Sequence, residues 1–236
     1  MPSLVGSEMC IRDSTKRVGP ERITTQGNQA YGHVMLAGHI FLFLSLMVAI
    51  PLFIKGGVVI VLLGTLSLFF AYGYTGGPFP LAYLGLGELF VFLFFGLIAT
   101  IGSFYLITER EVNLSVFVLG CQLGLLSSVL IAINNYRDKD EDMKVEKRTL
   151  ATKMSIRGYL RLIDFFLFFP YFLLLYFVFF VDLNYMFNLF SISIAYRVRD
   201  GLYDLSELEE CNKLLGESAK HLAIFTLLFC VISLWK

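Results

Sequence analysis

Long stretches of this 236-residue chain carry no charged side chain, among them those between Lys55 and Glu88, between Glu111 and Arg137, and between Asp164 and Asp182. A charge at the centre of a bilayer helix costs about 2.5–3.5 kcal/mol on insertion scales, so long uncharged runs bounded by charged ones are what lipid selects. Composition agrees, since only 16% of residues are charged where soluble domains carry about 25%. The 24 Phe and 12 Tyr residues exceed what a soluble core of this length accommodates. Net charge is zero, which leaves no basic surface for nucleic acid. The chain is therefore expected to be an all-α integral membrane protein, a multi-span helical bundle.

A helix needs about 20 apolar residues to cross the hydrocarbon layer. Segments 35–54, 57–74, 84–107, 114–133 and 160–181 meet that length. Segments 183–196 and 221–235 are shorter, and count as spans because no soluble domain exists to bury them. The total is about seven. With the region before the first span placed in the cytoplasm, all of the 19 Lys and Arg residues except Lys55, Arg110 and Lys236 fall on that side. This bias is the one that orients membrane proteins. Outer loops such as Lys55-Gly56 and Asp182 are short, so neighbouring spans run antiparallel and the bundle opens toward the cytoplasm.

Residues 1–14 lack an apolar core and are neither a signal peptide nor a span. They look like translated adapter sequence carried into a metagenomic assembly, so the membrane domain is taken as 15–236, with the genuine start missing upstream. Cys10, Cys121, Cys211 and Cys230 are scattered without metal-ligand spacing and read as free thiols.

The charged loop after the fourth span carries the chemistry. It reads Asn134-Asn135-Tyr136-Arg137-Asp138-Lys139-Asp140-Glu141-Asp142, then Met143-Lys144-Val145-Glu146-Lys147-Arg148-Thr149-Leu150. If the helix continues through it, Asn134, Asp138 and Asp142 fall at successive fourth positions and share a face. The two aspartates are then about 6 Å apart along the axis. That suits carboxylates reaching one hydrated Mg²⁺ or a pair of them, which complete their shells with substrate phosphate oxygens. Lys147 and Arg148 are placed to meet the remaining phosphate charge. A mixed-charge loop serving only solubility is the plain alternative, against which the ordered Asn-Asn-x-Arg-Asp-x-x-x-Asp run weighs. An EF-hand fails, because Met143 stands where its turn needs Gly and Thr149 where it needs a bidentate Glu.

These residues resemble the second aspartate-rich motif of the UbiA-type prenyltransferase superfamily. They are most similar to its branch that uses 1,4-dihydroxy-2-naphthoate in menaquinone synthesis, matched at Asn134, Asn135, Arg137, Asp138, Asp142, Lys147, Thr149 and Leu150. A second block matches at Tyr74-Thr75-Gly76-Gly77-Pro78, at Leu84-Gly85-Leu86-Gly87-Glu88 and at Phe94-Phe95-Gly96, and Val18-Gly19-Pro20 fits the segment after the family's first aspartate motif. Two departures stand out. Glu146 replaces the Gly that precedes the motif lysine, and the family's first two of nine spans, with their aspartate motif, are missing, so the polypeptide as it stands is expected to be inactive. The resemblance implies a Mg²⁺-dependent transfer of a polyprenyl group from polyprenyl diphosphate to dihydroxynaphthoate, with decarboxylation to demethylmenaquinone. It further implies Asp138 and Asp142 as catalytic metal ligands. Asn134, Asn135, Arg137, Lys147, Arg148 and Tyr74 become diphosphate- or substrate-binding residues. The expected location is the inner (plasma) membrane, with the active-site loops cytoplasmic. No protein partner is inferred.

Other residues have plainer readings. Tyr74 is equally an interfacial aromatic, and Glu88 is expected to favour the positive end of its helix, with a role in the site as the alternative. Asp164 is expected to be solvated, Arg197, Arg199 and Asp200 to be loop charges, and His33, His39 and His221 to be structural. Rival functions are another superfamily member with a phytyl donor or different acceptor, and a transporter. The spans lack the paired ionisable residues that mark ion-coupled transport, and the Asp-Gly…Ala-Arg pattern of phosphatidyltransferases is absent.

Overall fold

The structure is a computed structural model that describes residues 28–75, 83–108, 111–144 and 146–235. The 1–14 segment, Val18-Gly19-Pro20 and Gly76-Gly77-Pro78 lie outside the described residues. Two compact units divide the chain, Met1–Phe79 and Pro80–Lys236.

In the first unit, helix α1 (Asn28–Thr75) is broken at Gly57, whose φ of 60° and ψ of −155° leave the helical region. A Cβ on Gly64 would come within 2.7 Å of Phe53 Cε1. Eleven residues of straight helix would hold these two about 16 Å apart, so the halves fold back on one another. The two expected spans 35–54 and 57–74 are therefore a helical hairpin, and the missing side chain at Gly57 permits its tip.

The second unit begins with α2 (Gly87–Thr108), α-helical at both ends and π-helical over Phe92–Ile98. It continues with α3 (Leu114–Arg137), the short α4 (Lys139–Lys144) and α5 (Leu150–Lys153), then α6 (Ile156–Phe180). A 3-10 helix, Leu183–Ser191, runs into α7 (Ile192–Tyr203), and α8 (Cys211–Leu234) closes the chain. Side-chain caps start several of these elements where the sequence supplies Asn, Thr, Ser or Asp. Asn113 Oδ1 accepts from Val116 N–H at 3.0 Å, Thr149 Oγ1 from Thr152 N–H at 3.3 Å, Ser155 Oγ from Gly158 N–H at 3.2 Å, and Asp182 Oδ1 from Asn184 N–H at 2.8 Å.

Helix α3 is the centre of this bundle and packs against α2, α6 and α8. The core takes Leu126, Val129 and Ile133 from α3, Ile163, Leu167 and Leu174 from α6, and Phe225 and Phe229 from α8. The outward faces are apolar too: Phe95, Phe172, Phe179 and Leu227 are all exposed. Such faces are stable in hydrocarbon and a liability in water. Polar groups inside the bundle pair across helices. Gln122 Nε2 donates to Pro170 O at 2.9 Å, and Tyr171 Oη meets Ser191 Oγ at 2.7 Å and His221 Nε2 at 2.6 Å. Contacts of this kind join helices in lipid, which is the structural role expected of His221.

Five stretches among the described residues are long and apolar enough to cross a membrane: Gly32–Ala71, Gly87–Thr108, Leu114–Arg137, Ile156–Phe180 and Leu208–Leu234. The first is the hairpin and counts twice. The expected span 183–196 is instead the 3-10 helix followed by α7, which together return the chain from one end of the bundle to the other. Hydrogen bonds mark both ends. Ser115–Tyr176 at 3.2 Å and Tyr185–Ser233 at 2.9 Å tie one end, and Arg137–Asn212 at 2.7 Å and Tyr203–Asp164 at 2.7 Å the other. The chain is an all-α, multi-pass membrane bundle.

Two boundaries are corrected. Helix α8 starts ten residues before the expected 221, and α7 extends to Tyr203, so Arg197, Arg199, Asp200, Lys213 and Lys220 lie on helices rather than in a loop. The reason is amphipathy. Buried Cys211, Leu214, Ser218 and His221 form one stripe of α8, and buried Ile194, Ala195, Val198 and Leu202 one stripe of α7, while the charges face outward. Asp164 keeps part of its exposure, accepts from Tyr203 and lies 3.7 Å from Arg199.

Candidate active site

Helix α3 ends at Arg137, and Asp138 is its C-cap with φ −89° and ψ 5°. The helix does not run on unbroken as the sequence suggests, yet its hydrogen-bond register survives. Asp138 N–H donates to Asn134 O at 3.1 Å and Asp142 N–H to Asp138 O at 2.8 Å. The inward stripe differs from the expected one. Asn135, Asp138 and Asp142 are buried at 5%, 5% and 0% exposure, while Asn134 is only half-buried. Asp140 is exposed.

Each aspartate faces its own cation. Arg137 donates through Nε to Asp138 Oδ1 at 2.8 Å and through Nη2 to Oδ2 at 3.1 Å. Its remaining donors reach Asn134 Oδ1 at 2.8 Å and Asn212 Oδ1 at 2.7 Å, which ties the end of α3 to the start of α8. A two-pronged guanidinium–carboxylate contact of this kind is both strong and directional. Lys147 Nζ donates to Asp142 Oδ2 at 2.9 Å, with both side chains buried.

The turn after α4 is what brings Lys147 back. Lys147 N–H bonds Asp142 O at 2.9 Å and Glu146 N–H bonds Met143 O at 3.3 Å, the paired pattern of a Schellman motif. Its left-handed position is Glu146, with φ of 54°. This is where the resembled pattern has Gly, so the departure leaves the turn intact and puts a strained residue in it. Left-handed backbone costs a residue with a Cβ roughly 1–2 kcal/mol, and the Glu146 side chain is exposed. Glu146→Gly is thus expected to stabilise the protein by about 1 kcal/mol, read as a rise in the thermal unfolding midpoint. An unchanged or lower midpoint would show that the turn carries no such strain.

The loop after α4 is braced here by the segment just before α2. Arg148 N–H donates to Tyr83 O at 3.2 Å and Lys153 Nζ to Leu84 O at 2.9 Å. Glu88, expected to favour its helix dipole with a site role as the alternative, is 2% exposed and reaches across the bundle. Its Oε1 accepts from Asn135 Nδ2 at 3.0 Å and from Tyr159 Oη at 2.7 Å. Ser128 Oγ lies 3.2 Å from Glu88 O. Tyr159 and Asn212 carry no mark in the sequence that places them in this cluster. For Glu88 the signals were its place in the Leu84–Glu88 block and a carboxylate opening a long apolar run.

The structure gathers Asn134, Asn135, Arg137, Asp138, Asp142 and Lys147 at one end of the bundle. It does not bring in the Arg148 side chain, which is exposed, while that residue's backbone braces the loop. Thr149 serves as a helix cap. Tyr74 lies in the last turn of α1, and its side chain falls outside the described residues. Among the described residues, no three or more His, Cys, Asp or Glu side chains cluster as a metal site.

Comparison with known proteins adds the following. The chain is 32% identical over 154 residues to a 1,4-dihydroxy-2-naphthoate octaprenyltransferase of Haemophilus influenzae, covering 61% of this chain and 48% of that protein. It is 35% identical over 94 residues to the protein of the same name in Escherichia coli, covering 40% and 30%. It is 28% identical over 95 residues to a 2-carboxy-1,4-naphthoquinone phytyltransferase of Synechocystis, covering 39% and 29%. The chain thus spans about half the length, or less, of these curated relatives. No solved structure matches it. The description of the UbiA prenyltransferase family matches residues 12–228, a range that takes in both motif blocks, and the chain belongs to that family.

Proposed function

We propose that the protein transfers a polyprenyl group from polyprenyl diphosphate to 1,4-dihydroxy-2-naphthoate, with loss of the carboxylate as CO₂, giving demethylmenaquinol, the reduced form of demethylmenaquinone. The observation that carries this reading is the pair of buried aspartates at one end of an apolar bundle, each with its own cation beside it. The names of the relatives support the acceptor. The donor set is hard oxygen, the carboxylates of Asp138 and Asp142, which fits Mg²⁺; that ion takes one or two carboxylates and fills its shell with phosphate oxygens and water. When bound, Mg²⁺ would neutralise charge on the diphosphate leaving group.

The chain's own residues do the rest. Lys147 and Arg137 hold the aspartates in place and lend positive charge to the diphosphate oxygens. The bundle keeps water from the allylic carbon as its bond to diphosphate oxygen breaks and a ring carbon bonds to it. The electron pair of the broken bond leaves with diphosphate, and the ring regains aromaticity by releasing CO₂. The polyprenyl tail stays in lipid, and the cluster lies on the cytoplasmic side of the inner membrane, where the basic residues gather.

The test is an assay of the complete protein in membranes with polyprenyl diphosphate and either dihydroxynaphthoate or an aromatic acceptor without a carboxylate. One CO₂ released per prenyl group transferred is expected with the first. Transfer only to the second, or transfer from a phytyl donor alone, would assign a different acceptor or donor. No transfer to any acceptor would remove the enzymatic reading.

A further inference from the structure

Glu88 has no part in the reaction as drawn above, yet its surroundings are built. The carboxylate stands in the first turn of α2, is 2% exposed, and has no cationic partner among the described residues. Oε1 collects hydrogen bonds from two other helices, Asn135 of α3 at 3.0 Å and Tyr159 of α6 at 2.7 Å. Tyr159 is itself 1% exposed, and its hydroxyl also lies 3.1 Å from Ala132 O. Oε2 is buried with no hydrogen-bond partner among the described residues. The helix dipole explains a preference for negative charge at this position, but not bonds to two other helices. A carboxylate kept only for packing is harder to bury than an apolar side chain of similar volume.

The consequence falls on Asn135. Asn135 donates to Glu88 through Nδ2, so the amide turns its NH₂ group toward Glu88 and its oxygen away. Asn135 precedes Asp138 by three residues and Asp142 by seven, which puts all three on one stripe. Nothing among the described residues donates to Asn135 Oδ1.

We propose that Glu88, steadied by Tyr159, is a positioning residue of the diphosphate site: it holds the Asn135 amide so that its oxygen is left for what the aspartates bind. This rests on the function proposed above. Glu88→Gln keeps the shape but adds a donor, so the amide is no longer held one way round.

The experiment titrates the complete, detergent-purified protein with inorganic pyrophosphate in the presence of Mg²⁺. Glu88→Gln is expected to weaken binding by about tenfold, the scale of loss when an outer partner of a metal ligand is removed, with thermal unfolding unchanged. In an Asn135→Ala background the same substitution has no further effect, because the residue it acts through is gone. Unchanged affinity in Glu88→Gln, or losses that add, overturn the proposal. Should Glu88→Gln fail to fold, Tyr159→Phe takes its place, with a loss of about threefold from one weakened hydrogen bond that also vanishes in Asn135→Ala; additivity there overturns it equally. If the unmodified protein does not bind pyrophosphate, the function proposed above falls together with this role. If it binds and the losses add, only the role of Glu88 falls.

Discussion

Asp138→Ala and Asp142→Ala, each made in the complete protein, are expected to lower prenyl transfer by about a thousandfold or more, the upper range for removing one group that stabilises charge in a transition state. Membrane insertion is expected to be intact, because neither residue lies in an apolar stretch that drives insertion. Folding needs its own control. Both carboxylates are buried against a cation, and removing one partner of a buried pair costs about 3–5 kcal/mol by leaving the other charge uncompensated. Arg137 would keep the oxygens of Asn134 and Asn212, so Asp138→Ala is the milder of the two. Lys147 depends more on Asp142. Asp138→Asn and Asp142→Asn therefore accompany the alanine variants: they keep size and an acceptor oxygen while removing the charge. All four are expected to be inactive, and the Asn pair to unfold close to the parent. Full activity in both alanine variants would remove these residues from the chemistry.

The second large effect is structural and concerns the close contact of α2 with α3. A Cβ on Gly96, in the π-helical part of α2, would sit 2.4 Å from Gly124 Cα and 2.5 Å from Gly120 O. A Cβ on Gly124 would meet Phe92 O at 2.7 Å. These obstacles are backbone atoms, so no side chain can rotate away. Gly96→Ala and Gly124→Ala must push α2 off α3, at a cost of about 3 kcal/mol or more. Gly120→Ala meets Leu97 Cδ2 at 3.2 Å and needs only a small shift. Gly102→Ala meets nothing within 4 Å, and is expected to stabilise by up to about 1 kcal/mol through helix propensity. Unfolding midpoints of the four variants in one detergent check the ranking. If Gly96→Ala and Gly102→Ala behaved alike, the close approach of α2 to α3 would be wrong. Gly96 shares its helix with Glu88, so Gly96→Ala should also displace the Glu88–Asn135 contact and weaken pyrophosphate binding.

Much of the fold could be read from composition along the chain. Uncharged apolar runs located the hairpin of α1 and helices α2, α3 and α6, because lipid penalises charge steeply enough to leave a mark on sequence. A helix that is only half apolar leaves no such run. Lys213, Glu217 and Lys220 hid the first ten residues of α8, and Arg197 and Arg199 hid the end of α7, since their charges lie on outward faces that a hydropathy threshold counts against the whole segment. The aspartates and Lys147 were legible as a pattern. Which neighbours they take was not, because Asn212 lies 75 residues from Arg137 and no periodicity connects them.

The order of residues by itself determined that this chain is a membrane bundle with one acidic cluster at its mouth: the cost of burying charge in hydrocarbon acts on each residue locally, and short loops force neighbouring spans to alternate. Only the tertiary structure decided that Asn135 rather than Asn134 shares the buried stripe, that Glu146 occupies a left-handed turn carrying Lys147 to Asp142, and that Glu88 and Tyr159 close around Asn135. Those outcomes depend on how three helices approach one another, and the distance of approach is set by glycine contacts between segments far apart in sequence.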